Sequence, residues 1–150
     1  LGTELLKTVR LQAKILQVQR VDSPQTVGYG AAHKMAGPGR IATISAGYAD
    51  GYLRTLSGRG TAWIGETPVP VIGRVSMDLV TLDVTSVPED QAAPGHLVDL
   101  IGPGWSNQVS GGDAASAVGH EAMTIGYEIL TGLGARYARR YINPPDASDG

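Results

Sequence analysis

The sequence predicts a mainly β domain, barrel-like or two-sheet, of roughly eight or more strands with one or two short helices. Three observations predict it. Gly (21) and Pro (9) make up a fifth of the 150 residues and Phe is absent, which fits many turns and short strands better than a helical bundle. Several stretches alternate apolar and polar residues with the period of two that a half-buried sheet requires. Turn formers punctuate the chain at short intervals.

Residues 1–8 read as a linker or domain-junction remnant. From Val9 to Val21 the chain reads as a strand. Val9, Leu11, Ala13 and Ile15 share one parity, and Leu16 and Val18 fall on the other, as a β-bulge requires. An amphipathic helix competes over this stretch; the alternation favours a strand. Asp22-Ser23-Pro24-Gln25 is a turn. Val27-Gly28-Tyr29-Gly30 is a short extended piece, and Ala36-Gly37-Pro38-Gly39 is a second turn. Ile41 to Ala46 is a strand that runs into the glycine-rich Gly47-Tyr48-Ala49-Asp50-Gly51-Tyr52. Residues 53–60 form a loop. Thr61–Ile64 and Val69–Ile72 make a hairpin closed near Gly65-Glu66.

The stretch Val71 to Asp78, VIGRVSMD, opens as a buried strand with β-branched Val71, Ile72 and Val75. Gly73 interrupts it, which marks a bulge or a close backbone approach. Arg74 and Asp78 then place charge inside an apolar run, and that costs free energy unless the charge is paired or used. An edge strand with two solvated charges is an equal alternative. Met77 to Val84 alternates, with Val80, Leu82 and Val84 on one face. Pro88 to Gly95 is a loop and Leu97 to Ile101 a strand. Gly102-Pro103-Gly104 lacks both the GxGxxG and GxxxxGK patterns and reads as a turn. Asp113 to Met123 is the best helix, rich in alanine with Asp113 as its cap. Tyr127 to Leu133 is a second helical turn, and Arg139 to Ile142 a last short strand. The tail, residues 143–150, has the composition of a flexible segment.

Composition excludes several functions. An apolar share of 42% with a net charge of −2 gives neither a nucleic-acid surface nor attraction to an anionic membrane. With no cysteine, disulfides and thiolate metal sites are impossible, which is compatible with the cytoplasm. His33, His96 and His120 show no ligand spacing, so no metal is expected. No apolar run approaches the ~20 residues of a membrane span, and no signal peptide is visible. A chain that begins at Leu1 is expected to be a fragment or a processed product.

Three glycine-flanked tyrosine segments and the GRVSMD stretch carry a family resemblance. In order these are Gly28-Tyr29-Gly30, Gly47–Tyr52 (GYADGY), Gly73–Asp78 (GRVSMD) and Thr124–Leu130 (TIGYEIL). Over residues 9–142 the chain resembles the C-terminal β-domain of alanine racemase, the fold type III family that interconverts L- and D-alanine with pyridoxal 5′-phosphate (PLP). The resemblance implies an N-terminal (β/α)₈ barrel, absent here, whose lysine binds PLP covalently. Lys7, Lys14 and Lys34 are the only lysines, and none sits in that context. It also implies a homodimer in which this domain caps the partner subunit's barrel, and a role in supplying D-alanine for cell-wall precursors in the cytoplasm.

The resemblance implies roles residue by residue. Tyr29 matches the second catalytic base, opposite the lysine. A phenol has an unperturbed pKa of about 10, so neighbours must help it toward the phenolate. Met77 matches the residue whose backbone N–H meets the substrate carboxylate, with Asp78 fixing its turn. Tyr127 matches the tyrosine whose hydroxyl binds the PLP phosphate. Tyr48, Asp50, Arg54 and Arg74 match a substrate corridor, where the arginines attract and orient a carboxylate. The plainer readings are a solvated Arg54 and an Arg74 paired with Asp78. Arg136 and Arg139 match recurrent positions without assigned chemistry. Ser76 stands where many relatives carry Cys, and Gly126 where many carry Asn. Two rival functions stand beside this one: a serine or broad-specificity racemase of the same fold, and a stand-alone β-domain that binds a partner and catalyses nothing.

Overall fold

The computed structural model describes residues 9–22, 26–27, 33–34, 37–102 and 114–142. Eight strands and two short helices lie within them: β1 (Leu11–Val21), β2 (Thr26–Val27), β3 (His33–Lys34), β4 (Gly39–Ile44), β5 (Thr61–Ile64), β6 (Thr67–Ile72), β7 (Val80–Asp83), β8 (Leu97–Ile101), α1 (Ala114–Glu121) and α2 (Gly126–Thr131). Six strands close an antiparallel barrel in the order β1-β4-β7-β6-β5-β8, and β2 pairs with β3 as a separate ribbon. The expected β class is therefore a closed barrel. Closure leaves no exposed edge among these six strands.

The bulge expected in β1 is where the parity flips. The β1–β4 register slips between Ile15 and Gln17, and Leu16, the extra residue, is 52% exposed. The bend lets one long strand serve two partners: Leu11–Lys14 pair with β8 and Ile15–Val21 with β4. The β5–β6 hairpin closes on Gly65-Glu66, with Ile64 paired to Thr67. Gly65 adopts φ +59°, the hand that suits strand twist in a two-residue turn.

Alternate residues point inward. Ala13 and Ile15, Ala42 and Ile44, Val69 and Val71, Val80 and Leu82, and Val98 and Leu100 share one buried cluster. Full burial of each large aliphatic side chain contributes about 1.5–3 kcal/mol. The two helices pack over one end of the barrel. Leu11, Tyr52, Leu56, Leu100, Val118 and Ile129 meet there and leave a cavity of about 10 Å³, too small for any ligand. A Cβ on Gly119 would lie 2.8 Å from the Ile125 carbonyl carbon, so glycine is what allows α1 to sit this close to α2. No described helix is long and apolar enough to cross a membrane.

Two expected strands differ. The Met77–Val84 strand begins only at Val80, because the Ser76 hydroxyl closes a turn: it donates to the Leu79 carbonyl (2.9 Å) and accepts the Leu79 N–H (3.0 Å). Arg139–Ile142 is not a strand. The closed barrel offers it no edge to pair with, and Tyr141 and Ile142 are exposed. Asp113, the expected helix cap, lies outside the described residues.

Candidate functional site

The segments singled out in the sequence meet at one place, and glycine decides how closely. Gly47 has extended backbone (φ −162°), which any residue adopts, yet a Cβ there would lie 2.3 Å from the Met77 carbonyl oxygen. Residues 47–50 thus lie directly against 76–78. Tyr48 N–H donates to the Ser76 carbonyl and Ala49 N–H to the Met77 carbonyl, both at 3.0 Å. Gly51, at φ +88°, turns the chain away beneath the end of α2, where a Cβ would lie 2.1 Å from the Gly132 carbonyl oxygen.

Asp50 is buried at the centre of this contact. Its Oδ2 accepts the Gly47 N–H (3.1 Å) and its two oxygens face one guanidinium: Arg136 Nε to Oδ1 at 2.6 Å and Nη2 to Oδ2 at 2.8 Å. Arg136 spends its third nitrogen on Asp78, Nη1 to Oδ1 at 2.7 Å. The fork geometry of arginine suits this bidentate pairing. The Arg136 hydrogen bond holds the Asp50 carboxyl below its usual range against the opposing effect of burial. The two carboxylates in turn raise the Arg136 guanidinium, so the buried Asp50–Arg136 pair stays charged across the neutral range.

The sequence readings can be placed on this frame. Tyr48 and Met77 present side chains 47% and 50% exposed on adjacent, hydrogen-bonded backbone. Asp78 is engaged by Arg136, so the suggested Arg74–Asp78 ion pair is absent: no described carboxylate lies within ion-pair distance of Arg74 or Arg54. Arg54 lies on a 3₁₀ turn (Arg54–Leu56). That turn is tied to the VIGRVSMD stretch through Ser57, whose hydroxyl donates to the Arg54 carbonyl and accepts the Val75 N–H (2.8 Å). Asp50 is a buried counter-ion whose visible partners are Arg136 and Gly47. Tyr127 stands 79% exposed on α2. Tyr29 lies outside the described residues.

Sequence reasoning left Arg136 without a role and missed Ser57. A signal for the first was present: Asp50, flanked by small and aromatic residues, needed a cation, and the nearest arginine in sequence, Arg54, proved not to be it. Tyr52 and Tyr137 behave unlike the exposed tyrosines. Burial, reinforced by Glu121, raises the Tyr52 phenol far above its usual value. Burial raises Tyr137 to about 12, and its hydroxyl has no hydrogen-bond partner among the described residues. Neither is a base near neutral pH. No described group of three or more His, Asp or Glu side chains could hold a metal ion.

Comparison with known proteins adds the last observation. The family model described as alanine racemase, C-terminal domain, matches residues 8–141. The chain is 50% identical over 135 residues to an alanine racemase from Rhodospirillum rubrum, covering 90% of this chain and 34% of that protein. The crystal structure of alanine racemase from Bartonella henselae with covalently bound pyridoxal phosphate superposes with a TM-score of 0.80 at 37% identity, over 89% of this chain and 34% of that one. The crystal structure of alanine racemase from Bacillus anthracis with bound L-Ala-P gives 0.71 at 30% identity, over 83% and 30%. The chain spans about a third of the length of these relatives.

Proposed function

The chain belongs to the alanine racemase C-terminal domain family, and on that premise we propose that it is the β-domain of an enzyme that interconverts L- and D-alanine. The observation that carries the reading is the clamped contact of residues 47–50 with 76–78, with Tyr48 and Met77 exposed on it. Arg54 and Arg74 lie nearby in sequence without carboxylate partners among the described residues. A carboxylate substrate meets unneutralised cations and backbone donors in such a place.

PLP, held covalently by a lysine outside this chain, supplies the electron sink that acidifies the Cα proton. The residues here fit a share in holding it: the Tyr127 side chain is exposed, leaving its hydroxyl open to a phosphate oxygen. The Met77 N–H has no acceptor among the described residues and receives the substrate carboxylate. Tyr48, Arg54 and Arg74 line the approach. Tyr29 removes or returns the Cα proton on the face opposite the lysine, as a two-base reaction requires. The exposed face belongs against the barrel domain of a partner subunit in a homodimer. The product D-alanine serves cell-wall precursors, made in the cytoplasm.

The test is Tyr29→Phe in the longer protein that contains this domain. The change removes one hydroxyl and keeps the ring. A single general base contributes about 10²–10⁴-fold, so racemisation should fall by that factor. In deuterated water the lysine face should still exchange, placing deuterium at Cα of D-alanine far faster than of L-alanine. Near-parental turnover in both directions would make Tyr29 structural and overturn the assignment.

A further inference from the structure

We propose that Arg136 is the positioning residue that aims the Met77 N–H at the substrate carboxylate; the role rests on the reading of Met77 given above. The argument begins with one peptide plane. The Ser76 carbonyl and the Met77 N–H belong to the same planar trans unit, so they point in opposite directions. Tyr48 N–H holds the Ser76 oxygen (3.0 Å). That bond therefore turns the Met77 N–H away from residues 47–50. The next peptide is held in the same way, Ala49 N–H to the Met77 oxygen (3.0 Å). Whatever fixes residues 47–50 against 76–78 fixes the direction of this donor.

Two things fix them. One is the absence of a side chain on Gly47. The other is Arg136, which reaches both segments at once: two nitrogens on Asp50 and one on Asp78. It is itself delivered by the segment after α2, where Gly134 N–H donates to the Asp50 carbonyl (2.9 Å). Without the guanidinium, a buried carboxylate loses its counter-ion and faces a second carboxylate. Both effects push the segments apart. A lysine restores the charge but offers no planar fork to span two carboxylates, so it should restore part of the alignment.

The experiment uses Arg136→Gln and Arg136→Lys in the longer protein that contains this domain, with two readouts. Steady-state kinetics with both enantiomers should show KM for alanine raised ~10-fold or more by Arg136→Gln, as misplacement of a binding donor by about 1 Å costs up to ~10². The change in kcat should be smaller, and Arg136→Lys should fall between. Amide hydrogen exchange should quicken at residues 47–50 and 76–78 and stay unchanged at Leu82 and Leu100 inside the barrel. A lower melting temperature with unchanged KM for both variants would make Arg136 merely structural and overturn the proposal. Unchanged exchange at 76–78 would overturn it as well. If the unmodified protein racemises nothing, the functional reading fails instead, and the exchange readout still decides whether Arg136 holds the turn.

Discussion

Gly47→Ala is the sharpest perturbation the fold offers. A Cβ there falls 2.3 Å from the Met77 carbonyl oxygen, 2.4 Å from its carbon and 2.5 Å from the Asp78 nitrogen, where ordinary contact begins at 3.4 Å. The obstacle is backbone on all sides, so one segment must retreat by roughly 1 Å, a strain comparable to overpacking at ~1–3 kcal/mol. That retreat breaks the two 3.0 Å bonds from Tyr48 and Ala49, worth ~1 kcal/mol each. The sum is about 3–5 kcal/mol, or ~10 °C in Tm for a chain of this size. Thermal and urea unfolding of the chain would measure it against two control glycines. Gly58 has φ +63° and open space around it, so alanine there carries only the left-handed backbone cost of ~1–2 kcal/mol. Gly37 has open space and no positive φ, so alanine should be neutral or stabilising by up to ~1 kcal/mol. If Gly47→Ala costs no more than Gly58→Ala, the two segments are not in the contact described and the site argument built on it fails.

Two further outcomes are expected. Glu121 accepts the Thr61 N–H (2.8 Å) and hydroxyl (2.9 Å), while burial raises its carboxyl above the ordinary value of 4.5. The folded state thus holds this proton more tightly than the unfolded chain. Its stabilising contribution is full below pH ~4.5 and fades as pH rises through the folded value. A urea series from pH 4 to 8 should show that decline in the parent and a flatter profile in Glu121→Gln; parallel profiles would refute it. Mixed with PLP and freed of excess cofactor, the 150-residue chain should keep no borohydride-fixable cofactor and racemise no alanine. A stoichiometric adduct on Lys7, Lys14 or Lys34 would contradict the assignment of the cofactor lysine to another domain.

What could be read in the sequence was local. The bulge in β1 follows from the parity flip at Leu16, because a one-residue slip exchanges the faces of everything after it. The hairpin on Gly65-Glu66 follows from turn chemistry, and Leu97–Ile101 from a short apolar run between turn formers. The start of β7 was misplaced because Ser76 closes its turn with a side chain, which periodicity does not register. Arg139–Ile142, two arginines followed by Tyr141 and Ile142, has no alternation to define a buried face, and the closed barrel offers it no free edge. At the site, the glycine-rich segment and VIGRVSMD stood out because charge and glycine interrupt buried patterns. Their union by Arg136 did not, since an ion pair between Asp50 and a residue so distant in the chain leaves no periodic trace.

The dual pairing of β1 also bears on how the chain folds. Leu11 pairs with Ile101, so the first barrel strand in chain order waits for the last barrel strand before it is fully paired. Until then its early half, Leu11 to Lys14, is an unsatisfied edge available to another nascent chain. The later half finds β4 sooner, across a much shorter loop. Barrel closure is therefore a late, non-local event of the kind that takes milliseconds to seconds, and the bulge at Leu16 is the joint between the part of the strand that folds early and the part that folds last.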